Sequence, residues 1–152
     1  MEKIVGKKKF ILVDGSNVAL FRPTRKGNGR YNNIKKILTF LKDLQLKIEF
    51  KYEIVIDASL RHHIDNLNNL ENDISKGKII QCPSRTCADY FILEYYKRYP
   101  EKVIIISNDN FSEFNIQNLN ICKFAFIFND LILYPHLENI FLDKRGAEEI
   151  YA

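Results

Sequence analysis

An α/β fold is the class this sequence predicts, as a three-layer α/β/α sandwich around a central, mainly parallel sheet with a C-terminal β-hairpin. Three observations predict it. Short apolar runs of strand length recur along the chain. Segments of helical periodicity separate them, long enough for parallel crossovers. In the last third, two apolar runs are joined by Asn129-Asp130, the pattern of a tight hairpin.

Phe10–Val13 is a continuous apolar run ending at Asp14-Gly15, which suits a strand buried on both faces. Ile34, Ile37, Leu38, Leu41 and Leu44 then recur at helical spacing and predict an amphipathic helix from Asn32 to about Leu46. Tyr52–Ile56 is the second strand, ending at Asp57. Ile64, Leu67, Leu70 and Ile74 predict a helix within Leu60–Ser75, stopped by Gly77. Lys78–Gln81 reads as a third strand closed by Pro83. Thr86–Tyr99 reads as a helix with Phe91, Ile92 and Tyr95 inward, ended by Pro100. Val103–Ile106 is the clearest buried strand, and a short helical turn is expected near Phe111–Phe114. Beyond Pro135 a short final helix is expected.

The 152 residues suit one domain at roughly 100–200 residues per domain, so residues 1–152 are expected to form a single unit. No apolar run approaches the ~18 residues of a membrane span, and MEKIVGKKKF lacks a signal peptide's apolar core. Three cysteines (Cys82, Cys87 and Cys122) without a CxxC pair argue against disulfides and against a cysteine zinc site. A soluble, cytoplasmic protein away from membranes is expected. The net charge of +4 is mild, but it is unevenly spread. Arg22–Arg30 reads RPTRKGNGR, four basic residues without an acid, and Lys7-Lys8-Lys9 forms a second cluster. Each is either a solvated segment or, for the loop, a mobile arm touching phosphates.

In a parallel sheet the acids that follow the strands share one carboxyl edge. Asp14 follows the first strand, Asp57 the second and Asp109 the fourth, while Asp89 opens the helix after the third. Glu113 lies four residues after Asp109, one helical turn away. Each has an ordinary explanation: a turn at Asp14-Gly15, a helix N-cap at Asp57, capping boxes at Thr86-x-x-Asp89 and Asn110-x-x-Glu113. Together they are harder to explain, because two carboxylates about 4 Å apart repel by about 4 kcal/mol at an effective dielectric of about 20. Protonation or a cation must relieve that. An all-oxygen set favours Mg²⁺ or Mn²⁺, which lower the pKa of bound water and assist phosphodiester displacement. Ser16 and Asn17 beside Asp14, and Ser107 and Asn108 beside Asp109, are supporting groups. Arg61 and Arg85 either hold substrate phosphates or make surface ion pairs. Glycine-rich nucleotide loops and a nucleophilic-serine elbow are absent, and His62, His63 and His136 are read as surface or structural residues.

FILVDGSNVAL, IVIDASLRHHID, CPSRTCADYFIL and VIIISNDNFSEF together resemble the PIN-like NYN ribonucleases, in particular the Regnase-type ribonuclease domain otherwise found beside CCCH zinc fingers. The resemblance runs from about Phe10 to Pro135. It implies a metal-dependent endoribonuclease with Asp14 and Asn17 in the first motif, Asp89 at the start of the central helix and Asp109 in the SND motif. Glu113 falls where such domains usually carry another aspartate, and Ala88-Asp89 stands where they carry two.

The expected protein is therefore an endoribonuclease cutting single-stranded or loop RNA. Asp14, Asp89 and Asp109 would hold Mg²⁺ or Mn²⁺, with Asp57 and Glu113 as secondary acids, Asp57 counted among the metal ligands. Asn17 and Asn108 would orient ligands or water, and Ser16, Arg25, Lys26, Arg30, Arg61 and Arg85 would meet the substrate. Two rivals stand beside it: a catalytically inactive RNA-binding or assembly module, and a DNA-directed nuclease on the same fold. A homodimer through the phenylalanine-rich hairpin is the assembly to test.

Overall fold

A computed structural model describes residues 4–116 and 119–141. Strand β1 (Ile4–Asp14) leads through a one-turn helix α1 (Gly15–Ala19) and a loop into α2 (Tyr31–Gln45). Next come β2 (Ile48–Ile56), a 3-10 turn (Ala58–His62), α3 (Leu67–Ser75) and β3 (Ile80–Gln81). Helix α4 (Ala88–Arg98) leads to β4 (Val103–Ile106) and a second 3-10 turn (Ser112–Phe114). The hairpin β5 (Ile121–Ile127) and β6 (Asp130–Tyr134) precedes α5 (Leu137–Phe141).

The strands order as β3-β2-β1-β4-β5-β6, parallel except for β6. The central runs Phe10–Val13 of β1 and Val103–Ile106 of β4 are apolar because both faces are covered there. Ile11, Val13, Ile104 and Ile106 pack with α2 and Leu70 of α3 on one face. Leu12, Val103 and Ile105 pack with Ile92, Leu93 and Tyr96 of α4 on the other. From β1 the chain winds outward to β2 and β3, then crosses back to β4 on the other side of β1. Loops at the carboxyl ends of β1 and β4 therefore part in opposite directions and leave a crevice, the usual ligand position in such sheets.

The expected fold class holds, with five local differences. The first strand extends back to Ile4, so the lysine cluster belongs to β1, with a register irregularity between Ile4 and Lys9. The single helix expected over 60–75 is two elements, because Ile64 and Asp65 are occupied by the loop before α2. Asp65 N–H donates to Gly29 O, and its carboxylate accepts Tyr31 N–H at the start of α2. In α4 the inward residues are Ala88, Ile92, Leu93 and Tyr96; Phe91 is exposed. The hairpin link is Phe128-Asn129 rather than Asn129-Asp130. Ile127 pairs with Asp130, and both linking residues have positive φ, +48° and +68°, as a type I′ turn requires. Cys87, whose place at an apolar-flanked helix start suggests a packed thiol, is exposed, and the three cysteines are free. The chain beyond Phe141 lies outside the described residues.

Candidate active site

Asp14 ends β1 at this edge, 4% exposed. Gly15 lets the chain turn there: a Cβ would stand 2.6 Å from Ile56 Cγ2 and 2.8 Å from Ile54 Cγ2. The Asp14 carboxylate accepts Asn17 N–H at 3.3 Å, capping α1, and the Ser107 hydroxyl at 3.0 Å from across the sheet. Ser107 Oγ also accepts Asp109 N–H at 3.1 Å, and Asn17 Oδ1 accepts Asn108 N–H at 2.8 Å. The DGSN and SND segments are thereby tied to one another through four polar groups. Ser16 turns elsewhere: its hydroxyl accepts Asp57 N–H at 2.9 Å, so it braces the ends of β1 and β2.

The loop after β4 is bent by Asp109, whose Oδ1 accepts Phe111 N–H at 2.8 Å, and by Phe111 itself, fully buried at φ +54°. Asn108 has a structural commitment. Its amide donates to Phe124 O at 2.9 Å and accepts Phe124 N–H at 2.9 Å, pairing like a strand residue with β5. Asp109 and Glu113 are exposed above this base.

The ordinary explanations of the acids now separate. Asp57 is a cap, but of α4 rather than of the turn that follows it: Oδ1 accepts Ala88 N–H at 2.6 Å. This replaces the expected capping box at Thr86, whose hydroxyl instead donates to Pro83 O. The second expected box is also absent, since Phe111 occupies the cap position of the 112–114 turn without a side-chain bond. Neither Asp89 nor Glu113 therefore caps the element it opens.

Electrostatics shows which acids face one another. Burial, then the charge of Asp89, pushes Asp14 up from 3.8 to about 7, against the hydrogen bonds from Asn17 and Ser107; Asp57 adds to the rise. Burial, then Asp109, Asp57 and Glu113, pushes Asp89 up to about 6. Asp89 thus links the other four carboxylates, feeling Asp109, Asp57 and Glu113 and acting on Asp14. Among the described residues the ion pairs are Arg61–Glu71 and Lys97–Glu94, so none neutralises this group.

Oxygen-only donors under mutual repulsion fit a hard divalent cation. Among the described residues no three His, Cys, Asp or Glu side chains are grouped to hold one.

The basic loop is pinned rather than a loose arm. Gly29 N–H donates to His63 O, Arg30 N–H to Ala19 O, and Thr24 and Gly27 close a turn. Arg25, Lys26 and Arg30 are exposed on it. Arg61 pairs with Glu71 at 2.5 Å, the surface ion pair, whereas Arg85 is exposed before α4 at φ +64°.

Lys123 was not foreseen: Nζ donates to Asn108 O at 3.0 Å and to Asn110 Oδ1, which brings a cation to the rim of the SND loop. Its alternate position on β5, between buried Cys122 and Phe124, was the available signal.

The family described as the Zc3h12a-like Ribonuclease NYN domain matches residues 7–149. Among solved structures, the chain is similar to the crystal structure of nuclear proteinaceous RNase P 2 (PRORP2) from A. thaliana. That likeness has a TM-score of 0.61 at 17% identity and covers 83% of this chain and 29% of that one. A second structure, Arabidopsis thaliana nuclear protein-only RNase P 2, gives a TM-score of 0.62 at 18% identity, over 84% of this chain and 30% of that one. At such identity the likeness is one of fold, and the chain spans under a third of those proteins. No curated protein matches the chain.

Proposed function

The chain belongs to the Zc3h12a-like ribonuclease NYN family, and on that premise we propose that it is a metal-dependent endoribonuclease cutting single-stranded or loop RNA. One observation carries the reading: five carboxylates from four segments are linked through Asp89 at the sheet's carboxyl edge, and Asp89 and Glu113 cap nothing there. Asp14, Asp89 and Asp109 are the proposed ligands of Mg²⁺ or Mn²⁺, with Asp57 and Glu113 outside them. When bound, the ion supplies an activated water and stabilises charge on the phosphodiester.

The protein's own part is positioning. Ser107 and Asn17 hold Asp14 and the Asp109 loop in fixed relation, so the rigid half of the site is in place before substrate arrives. Asp57 fixes the first turn of α4 and thereby sets where Asp89 stands. Lys123, with Arg25, Lys26, Arg30 and Arg85, would draw in the polyanion and hold its phosphates.

A non-catalytic RNA-binding module is the second reading, favoured by the absence of a compact three-ligand group among the described residues. Labelled single-stranded RNA incubated with Mn²⁺, Mg²⁺ or EDTA, beside DNA of the same sequence and an Asp109→Asn control, separates the readings. Metal-dependent cuts in RNA that the control abolishes are expected. RNA bound but uncut under every metal would overturn catalysis, and equal cutting of DNA would overturn RNA selectivity.

A further inference from the structure

The hairpin carries features that neither the fold nor the acidic site uses. Phe128 sits at its tip, 95% exposed, in a turn position that Asn, Asp or Gly occupy with less strain. The rings before it, Phe124 and Phe126, are buried and stack against Phe21 at 5.6 and 5.7 Å between centroids. The core therefore accounts for them and leaves Phe128 unexplained.

The tip belongs to the working edge of the sheet. Ile106 pairs with Cys122, so β5 passes the end of β4 level with Ser107 and continues beyond it. Phe128 lies five residues past Lys123, about 17 Å along the strand at about 3.4 Å per residue. The root of this arm is bonded to Asn108 of the SND loop, and its end is held by Lys36, whose ammonium donates to Asn129 O and lies over the Phe126 ring. Two cations stand on the face of Phe124 and Phe126, Lys36 near the tip and Arg22 over the Phe21 ring at 5.5 Å, while Lys123 stands at the root on the opposite face of the strand. An exposed aromatic among cations, continuous with an acidic cleavage site, matches the two parts of single-strand binding, a phosphate track and a stacking platform.

We infer that Phe128 is a base-stacking residue that grips single-stranded RNA a few nucleotides from the acidic site, with Lys36 and Arg22 holding the neighbouring phosphates. The inference rests on the ribonuclease reading and names a substrate contact of that site. The rival occupant, another protein surface meeting Phe128, would not need the cations.

The test is binding of a labelled single-stranded RNA in EDTA by wild type, Phe128→Ala and Phe128→Trp, with cleavage rates at low RNA concentration measured alongside. Phe128→Ala is expected to weaken binding about 5- to 150-fold, the range of stacking on one base. Because no charge is lost, its salt dependence should stay that of wild type, whereas Lys36→Ala should lower the slope by about 0.7. The chain has no tryptophan, so Phe128→Trp introduces a sole indole, whose fluorescence should be quenched on RNA addition while affinity is retained. Wild-type affinity and cleavage in Phe128→Ala, or an unquenched indole in an RNA-bound protein, would overturn the inference and leave the ribonuclease standing. Loss of self-association in Phe128→Ala with RNA affinity intact would overturn it in favour of a protein contact. A wild-type chain that neither binds nor cuts RNA would overturn both readings.

Discussion

Asp14→Asn should make the metal-free protein more stable at alkaline pH and slightly less stable in acid. The carboxyl is raised from 3.8 to about 7, mainly by burial and then by Asp89. Between about pH 4 and pH 7 the unfolded chain has released this proton and the folded chain keeps it, so stability falls as pH rises through the window. The loss is complete above pH 7 and amounts to about 4 kcal/mol, at about 1.4 kcal/mol per tenfold change. Asparagine removes that penalty but forfeits one hydrogen bond, either that of Asn17 or that of Ser107, worth about 1 kcal/mol. The net expectation is a gain of about 3 kcal/mol at pH 8 and a loss of about 1 kcal/mol at pH 4. In melting temperature that is about 6–12 °C upward and about 2–4 °C downward. Thermal melts of both proteins in EDTA across this range provide the assay, and the two curves should cross. An acid kept for its hydrogen bonds alone would give a mutant that melts lower at every pH. That result would refute the idea that Asp14 is held charged against its surroundings for a cation.

Asp57→Ala removes the only side-chain cap seen on α4 and should cost about 0.5–2 kcal/mol by thermal melting, most of it recovered in Asp57→Asn. An unchanged melting temperature in Asp57→Ala would return Asp57 to the ligand set. Gly15→Ala forces a methyl against Ile54 and Ile56 of β2 and should cost about 1–3 kcal/mol, read as a lower urea midpoint at constant slope. A wild-type midpoint there would mean that α1 can shift without consequence.

The strands and α2 were legible because their signal is local. A run such as Val103–Ile106 is buried on both faces and needs no further context. What the sequence hid were choices made by distant segments. The interruption between residues 62 and 67 comes from Gly29 and Asp65 pairing across the chain, so helical periodicity alone could not reveal it. The hairpin is legible as a hairpin but its register is not, because Asn129-Asp130 has the residue types of a tight turn while Phe128 takes the first turn place at positive φ. The carboxyl edge was legible from acids after strands, yet their division of labour was not. Asp57 and Asp89 look alike in sequence, and only the contact from β2 to the start of α4 distinguishes a cap from a charge.

That division bears on how the site would work. One side of it, Asp14 with the SND loop, is locked by bonds running between β1, β4 and β5 and follows the rigid centre of the sheet. The other side, Asp89, rides on α4, whose first turn is held by a single side-chain acceptor from β2. The spacing between the two halves therefore depends on the seating of one helix end. Misplacement by about 1 Å at a catalytic centre can cost about a hundredfold in rate. A residue that touches neither substrate nor ion can then matter as much as one that does. It also follows that Asp57 can be essential to activity without being a ligand. Asp57→Asn, which keeps the acceptor and removes the charge, separates the two roles: a positioning cap survives that change, and a metal ligand does not.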